Sequence, residues 1–307
     1  MISNLVFLKN NEIDKVKWDS VLSKAQFSNY ALKSYFLDAI SPDWSALVYK
    51  DYEVVFPLTV RSKFGIKYLI TPIFIPFLGF LSVDKNIQEA VVDHFFFEIY
   101  KQVKYLNLFL DPFTSSVVKK SEYAQRKCQV LKLDNAYELI CKNYSVNHKR
   151  SIVKAKKSEL VTNTSNDVNT LIQLFRDSKG GSLKELKASN FESLTFALQE
   201  TLKNNDGFIV ECKNEKELIS SAFFAVCGSR ITYVKGFSNE VGRKLGAMHF
   251  IIDQVVKQYS EADFVFDFGG SNNEQVAKFN YGFGAKDVFY CHLKQNYLPK
   301  LLKLFKS

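Results

Sequence analysis

Methionine and glycine are scarce in this sequence, and none of its apolar runs is long. Its 307 residues include only 2 Met and 13 Gly, against 28 Phe and 15 Tyr. This composition excludes low-complexity sequence and favours closely packed sheets and helices. The longest apolar run, residues 68–81, contains Pro72 and Pro76 and falls short of the about 20 residues that a membrane helix needs. Residues 1–10 place no basic region before their short apolar run, so no signal peptide is expected and a cytoplasmic location is predicted.

Paired cysteines and clustered metal ligands are also absent from the sequence. The five cysteines are scattered and form no C-x-x-C pair; they are Cys128, Cys141, Cys212, Cys227 and Cys291. The 4 histidines include no H-E-x-x-H pair, and the sequence contains no P-loop and no G-x-G-x-x-G motif. These absences argue against a disulfide framework and a zinc site, so a reduced protein without a metal is expected.

Basic residues outnumber acidic ones, and the excess is concentrated in one segment. Lys and Arg total 41 and Asp and Glu total 32, which gives a net charge of +9. Residues 142–157 contain no acid, and their basic side chains are Lys142, Lys149, Arg150, Lys154, Lys156 and Lys157. Such a segment suits a phosphorylated partner, whether a nucleotide, CoA, tRNA or an anionic lipid surface. The alternative is that these side chains form only a solvated helix face.

The same order of elements is predicted twice along the chain. In each half a strand and two helices precede antiparallel strands, a helix and a further strand. That helix and last strand are predicted at residues 87–103 and 105–110 in the first half, and at 244–259 and 264–268 in the second. Between residues 62 and 81 the sequence predicts an irregular run. The repeated order is typical of an α+β protein and predicts two domains, residues 1–134 and 135–307.

Several segments of the second half resemble the signature of a known family. Residues 264–271 (FVFDFGGS) and 276–284 (VAKFNYGFG) resemble the C-terminal motifs of the Fem-type aminoacyltransferases and of their GNAT-like acetyltransferase relatives from polysaccharide and cell-envelope gene clusters. Residues 147–157 are similar to the basic helix of those proteins, and residues 233–249 to their acyl-donor strand and helix. The resemblance covers residues 135–295. It implies an α+β, tandem duplicated GNAT fold, with mixed sheets flanked by helices and catalysis in the second copy.

The resemblance also implies a binding site for acetyl-CoA as co-substrate. A GNAT domain binds the pyrophosphate of CoA in a turn that begins with Gln or Arg and has Gly at its fourth position and a small residue at its sixth. Unpaired amides at the start of a helix attract such a phosphate. The residues implied to bind CoA here are Arg243, Lys244, Gly246 and Ala247. Met248 stands at the sixth position, where the family has a small residue. The alternative is that Gly242 and Gly246 only shape the turn into the helix.

Asp267 is the candidate proton acceptor. It is predicted at the end of a strand beside glycines, where a carboxylate can accept a proton from an amine or cap the next helix. Ser271 or Asn272 is expected to provide that cap, which leaves Asp267 for catalysis or substrate positioning. A structural hydrogen-bonding role for Asp267 is the alternative.

Asn280 marks a departure from the Fem-type pattern. Those enzymes have a lysine at this point of the last motif, where its charge can meet the developing oxyanion, whereas the neutral amide of Asn280 offers a weaker hydrogen bond. Lys278 and Lys235 are candidates to reach the same point and complete the predicted catalytic set. Because an aminoacyl ester on tRNA demands more oxyanion stabilisation than a thioester does, acetyl-CoA is the expected donor and tRNA is not.

The basic segment is the predicted site for the acceptor. Arg150, Lys154 and Lys157, spaced four and then three residues apart, are predicted to share one helix face and to line the groove of a phosphorylated acceptor. His148 lies among these cations, which favours its neutral form, and it is predicted to bind phosphate at the surface.

The predicted function is acyl transfer, with acetyl from acetyl-CoA, to an amine of a cell-envelope or polysaccharide precursor. The expected partner is a phosphorylated or carrier-linked acceptor, and contact with a membrane surface is a further expectation. DNA is not expected, because the basic segment lacks interleaved aromatic residues. Two alternatives remain open: a non-catalytic GNAT-fold protein that binds an envelope precursor, and a tRNA-dependent aminoacyltransferase of peptidoglycan synthesis.

Overall fold

The chain forms two compact units, the second of which buries a well-defined apolar core. The computed structural model describes residues 4–118, 123–179, 186–215, 217–269 and 272–298. The first unit comprises Met1–Arg126 and Phe289–Ser307, and the second comprises Lys127–Val288. These bounds differ from the predicted domains 1–134 and 135–307, because the division falls earlier and the C-terminal segment belongs to the first unit.

An antiparallel sheet and a mixed sheet build the first unit. The four strands of the antiparallel sheet are, in order, β1 (Leu5–Leu8), β2 (Ser45–Tyr49), β3 (Val54–Leu58) and β6 (Leu81–Ser82). The mixed sheet contains β4 (Val60–Lys63), β5 (Ile66–Ile70), β7 (Tyr105–Leu110) and, from residue 289 on, β14 (Lys286–Asn296). Strands β5 and β7 are parallel, whereas β14 runs antiparallel to β7. The helices are α1 (Lys15–Lys24), α2 (Ser34–Ile40), α3 (Glu89–Gln102) and α4 (Pro112–Val118).

The second unit is built on a mixed sheet whose strands do not follow chain order. In spatial order they are β8 (Ala124–Lys132), β13 (Val265–Asp267), β12 (Arg230–Ser238), β11 (Glu217–Cys227), β10 (Gly207–Asn214) and β9 (Val161–Ser165). Strands β12 and β13 are parallel, and the other neighbours are antiparallel. The helices are α5 (Tyr137–Lys142), α6 (Val146–Lys157), α7 (Val168–Lys179), α8 (Ala188–Lys203), α9 (Glu240–Leu245), α10 (Ala247–Gln258) and α11 (Glu274–Tyr281).

The core of the second unit lies between its sheet and α10. Residues 219–225 of β11 are all buried, because β10 and β12 cover both edges of this strand and helices cover its faces. On α10, Ile251 and Val255 belong to the same apolar cluster as Phe224 of β11 and Phe266 of β13. The helix therefore lies against β11 and β13, the two neighbours of β12 in the sheet.

The same motif occurs in both units. In the first, β5 and β7 are parallel, α3 lies between them in sequence, and Asp111 follows β7. In the second, β12 and β13 are parallel, α9 and α10 lie between them, and Asp267 ends β13. The predicted α+β class with mixed sheets flanked by helices is confirmed. Superposition of the two units stays a prediction. No helix in the described part of the chain combines the length and the apolar character of a membrane span.

One helix of the second unit and one strand of the first unit differ from the predicted elements. The helix predicted at residues 244–259 is two helices, because Gly246 adopts a left-handed φ of 78° that ends α9 and precedes α10. The run predicted to be irregular contains β5, which is only five residues long and is held by pairing with β4 and β7. Strand β4 is adjacent in sequence, but the pairing with β7, which lies far along the chain, leaves no local signal.

Candidate functional site

Asp267 ends β13 in a buried ion pair with Arg230, the first residue of β12. The parallel register of the two strands places them together, with Arg230 Nη1 at 3.0 Å from Asp267 Oδ2. The other carboxylate oxygen, Oδ1, accepts the backbone N–H of Gly269 at 2.9 Å, and Asp267 is only 3% exposed. Because both oxygens are engaged, this geometry supports the structural interpretation of Asp267. A catalytic role stays a prediction.

The helix after Asp267 is capped by a residue that the sequence analysis did not select. The side chain of Asn273 accepts the backbone N–H groups of Gln275 and Val276 at the start of α11. Asn272 instead accepts a hydrogen bond from the backbone of Lys127 at 3.4 Å. The expected cap at Asn272 is therefore wrong, and Ser271 lies outside the described residues.

The predicted CoA turn contains two glycines whose neighbours approach them closely. A Cβ at Gly246 would lie 2.7 Å from the carbonyl oxygen of Ser151 on α6. A Cβ at Gly242 would overlap the carbonyl oxygen of Ile219 on β11. Both positions thus require glycine for packing, which is the alternative that the sequence left open. Binding of CoA by this turn stays a prediction.

The charged residues of the same turn lie at the surface. Arg243 Nη1 donates to the carbonyl oxygen of Ser238 at 2.7 Å, and Lys244 Nζ lies 2.8 Å from Glu240 Oε1. Ala247 is buried at the start of α10. Arg243 is thus anchored to the last residue of β12, and Lys244 to a glutamate of its own helix.

Strand β12 is interrupted beside Asp267 on both of its edges. On the side of β11 the register shifts by one residue after Tyr233, so that Val234 is the extra residue of a β-bulge. On the other side, the described pairing with β13 ends at Thr232 and Asp267. Beyond this point the described pairing of β12 with β13 stops, whereas its pairing with β11 continues past the bulge. We call the place where the two parallel strands cease to pair the β12–β13 notch.

Tyr233 and Lys235 flank the bulge. The Tyr233 hydroxyl lies over Gly236 and near Met248 of α10, and a Cβ at Gly236 would overlap it. Burial raises the pKa of Tyr233, so its hydroxyl keeps its proton. Lys235 is half-buried, with Nζ 5.6 Å from the centre of the Phe175 ring. Lys235 was predicted from the sequence, whereas Tyr233 was not, because its only sequence signal is the glycine three residues later.

Lys278 and Asn280 occupy opposite sides of α11. Lys278 is exposed, whereas Asn280 is 2% exposed and donates from Nδ2 to Gln129 Oε1 at 3.0 Å. Gln129 donates in turn to Asp287 Oδ1 at 3.0 Å, which also accepts the Tyr281 hydroxyl at 2.7 Å. The idea that Asn280 faces a developing oxyanion is wrong, because its amide is committed to this buried chain of hydrogen bonds.

His148 is buried rather than exposed, which corrects its prediction as a surface phosphate ligand. Its Nε2 lies 2.9 Å from the carbonyl oxygen of Phe279, so this nitrogen carries the proton, and Nδ1 lies 3.0 Å from Ser145 Oγ. The ring packs 4.5 Å from that of His249 and 4.6 Å from that of Phe283, measured between centres. Burial lowers the pKa of His148, and burial together with His148 lowers the pKa of His249 to about 4. Both imidazoles are neutral at pH 7.

The histidine pair makes stability depend on pH. His249 has a pKa of about 4 when folded and an ordinary value of 6.5 when unfolded, so the unfolded chain binds more protons between these values. The contribution of this group is therefore complete above pH 6.5 and is lost as the pH drops towards 4, by on the order of 3 kcal/mol. Urea unfolding across that interval measures the slope. In the variant His249→Gln the slope should be clearly shallower, and an unchanged slope would contradict the assignment.

The basic residues predicted to act together do share one helix face. Arg150, Lys154 and Lys157 are all exposed on α6, opposite its buried residues Ile152 and Ala155. The face is formed by α6 alone, with Ser158 just beyond its end. No second element lines this face among the described residues, so it is open to solvent, and its role as the acceptor site stays a prediction.

A second buried acid lies between α10 and the helices before it. Asp253 Oδ1 accepts the Tyr137 hydroxyl at 2.8 Å, and Lys156 Nζ lies 3.8 Å from Oδ2. Burial raises the pKa of Asp253. These contacts fix α5 and α6 on α10, so the group is structural. Within the described residues, His, Cys, Asp and Glu side chains do not gather in threes as metal ligands would.

Several solved structures share this fold. The crystal structure of FemX aligns over 96% of this chain and 99% of its own, with a TM-score of 0.70 and 10% identity. The structure of L-PGS from Bacillus licheniformis aligns over 95% of this chain and 94% of its own, with a TM-score of 0.58 and 12% identity. A tandem GNAT protein from the clavulanic acid biosynthesis pathway aligns over 96% and 99%, with a TM-score of 0.52 and 12% identity.

These similarities show the fold, which is that of tandem GNAT and FemX-like structures. No protein-family model matches the chain, and no curated protein matches it in sequence. The fold class implied by the sequence resemblance is therefore confirmed by structure. The activity of this chain has to be argued from its own residues.

Proposed function

We propose that the chain is an acyltransferase that moves an acyl group, acetyl from acetyl-CoA, to an amine of a cell-envelope or polysaccharide precursor. The observation that carries this proposal is the β12–β13 notch. A bulge on one edge of β12 and the end of pairing on its other edge leave backbone groups of this strand outside the regular ladder. Backbone N–H groups fixed in this way suit the oxyanion of a tetrahedral intermediate.

The reaction needs little side-chain chemistry beyond positioning. The amine nitrogen attacks the thioester carbonyl carbon, the C–N bond forms as the C–S bond breaks, the ammonium gives up a proton and the departing sulfur takes one. Tyr233 is our candidate for that last transfer, because it flanks the bulge and its hydroxyl keeps its proton. Lys235 and the turn at Arg243 and Lys244 supply positive charge on the same strand and the helix that follows it, which supports binding of an anionic donor.

A non-catalytic binding protein is the second candidate, favoured by one observation. Asp267 lies at the end of β13, beside the notch, and both of its carboxylate oxygens accept hydrogen bonds, one from Arg230 and one from Gly269. In an enzyme with this site, a group other than Asp267, or water, must accept the proton of the amine. A binding protein with the same fold would need no such group.

Transfer assays distinguish these candidates. The chain is incubated with labelled acetyl-CoA and, separately, with charged tRNA, over a panel of amino-sugar and peptide acceptors. We expect transfer from the thioester only, and we expect Tyr233→Phe to lower kcat by about 100-fold, the usual contribution of a positioned proton donor.

The matched control is Tyr259→Phe, which removes a hydroxyl from a ring stacked on Phe208. It should retain full activity. Transfer from tRNA alone would replace the thioester donor by an aminoacyl ester. No transfer from either donor, in a chain that unfolds cooperatively, would favour the binding protein.

A further inference from the structure

One side of α6 is exposed along its whole length and carries both basic and apolar side chains. We call this side the α6 face, and its members are Val146, Lys149, Arg150, Val153, Lys154 and Lys157. At about 100° per residue these positions fall on one side of the helix. On the other side His148, Ile152 and Ala155 are buried. The helix is thus fixed by its inner side and presents the α6 face outwards.

The positive charge of the α6 face is not neutralised by the rest of the described chain. Within that part of the protein, the basic side chains of the face form no ion pair, whereas exposed lysines elsewhere in the unit, such as Lys203 and Lys244, pair with glutamates. The sequence between Glu138 and Glu159 contains no acid. The face therefore offers concentrated charge to an external anion.

The two valines indicate what kind of anion fits. Val146 is 62% exposed and Val153 is 50% exposed, in the middle of the charged side chains. A site for a free nucleotide or phosphate has no use for them, and an open face lined only by α6 and Ser158 cannot enclose a small ligand. A flat surface that is anionic outside and apolar beneath matches both the cations and the valines.

We propose that the α6 face docks the protein on an anionic phospholipid bilayer. From Val146 to Lys157 the helix extends about 16 Å, enough to lie flat across several headgroups. The lysine and arginine stems can lie beside the valines while their charged ends reach the phosphates. Each basic residue close to such a surface strengthens binding by about fivefold. The proposal does not depend on the transfer chemistry, and its test uses no activity measurement.

The test is cosedimentation of the full chain with vesicles. Vesicles of phosphatidylglycerol and phosphatidylcholine in equal amounts are compared with vesicles of phosphatidylcholine alone. We expect binding to the anionic vesicles only, weakening as salt is added. Changing the four basic residues of the α6 face, Lys149, Arg150, Lys154 and Lys157, to Gln should weaken binding by about 100-fold or more. Changing Val146 and Val153 to Ser should weaken it by a further, salt-independent amount.

A matched variant with the same loss of charge controls for nonspecific attraction. It carries Gln at the exposed positions Lys132, Lys203, Lys244 and Lys286, and it should retain vesicle binding to within a few fold. Equal losses in the two variants would overturn the proposal, as would no binding to anionic vesicles. Binding of tRNA that depends on the α6 face, without vesicle binding, would overturn it in favour of a nucleic-acid surface. Thermal unfolding checks that every variant is folded.

Discussion

Replacing Arg230 by Met is expected to lower the free energy of unfolding of the protein by about 3–5 kcal/mol. The reason is that Asp267 would lose the guanidinium 3.0 Å from its carboxylate while its side chain remains 4% exposed. A charge left unpaired in the interior costs far more than the net gain from the pair itself. Unfolding in urea, followed by circular dichroism, measures the loss.

Two further variants separate this explanation from a general effect of charge removal. Lys244→Met breaks an ion pair whose partners are 70% and 73% exposed, and it should cost less than about 1 kcal/mol. The double variant Arg230→Met with Asp267→Leu removes both charges and should recover most of the loss. If Arg230→Met is nearly neutral while Asp267→Asn abolishes acyl transfer, Asp267 acts as a base and the structural interpretation fails.

The ion pair also shows the limit of what the sequence could predict. Strand and helix positions in the second unit follow from local apolar patterns, and the position of Asp267 at a strand end was predicted correctly. Arg230 was not selected, because only the parallel register of β12 and β13 brings it to Asp267 across 37 residues of chain. A single sequence carries no signal of that register.

The burial of individual polar residues was also not predictable from the sequence. His148 was assigned to the surface from its basic neighbours in sequence, and Asn280 was assigned to the oxyanion position from the family resemblance. Their partners, the carbonyl oxygen of Phe279 and the side chain of Gln129, lie more than a hundred residues away in the chain. A polar side chain can be buried where such partners satisfy it, so its exposure depends on tertiary contacts. The basic residues of the α6 face, by contrast, were placed correctly by helical spacing alone.

The glycine at position 282 is a sequence feature that is related to the burial of His148. It belongs to the motif that resembles the Fem-type signature, and its Cα lies against the imidazole ring of His148. A Cβ there would overlap the ring itself, and the ring cannot move away freely because both of its nitrogens are hydrogen-bonded, to Ser145 and to Phe279. We therefore expect Gly282→Ala to destabilise the protein by about 3 kcal/mol, through overpacking.

Backbone conformation does not explain this expected loss. Gly282 has φ −60° and ψ −22°, which alanine adopts without strain, so in open space the change would be neutral or stabilising by up to about 1 kcal/mol. The cost should come from the His148 ring alone. That makes the prediction testable by a double-mutant cycle, in which Gly282→Ala is measured once in the natural protein and once in the background His148→Ala.

In the His148→Ala background the overlapping ring is absent, so adding Gly282→Ala should cost little or nothing. The coupling between the two changes should then nearly equal the loss in the natural protein, about 3 kcal/mol. Equal costs in the two backgrounds would mean that the glycine is required for another reason. A full coupling would show that this glycine fixes the buried histidine pair and, through the Phe279 carbonyl, ties α6 to α11 beside the candidate site.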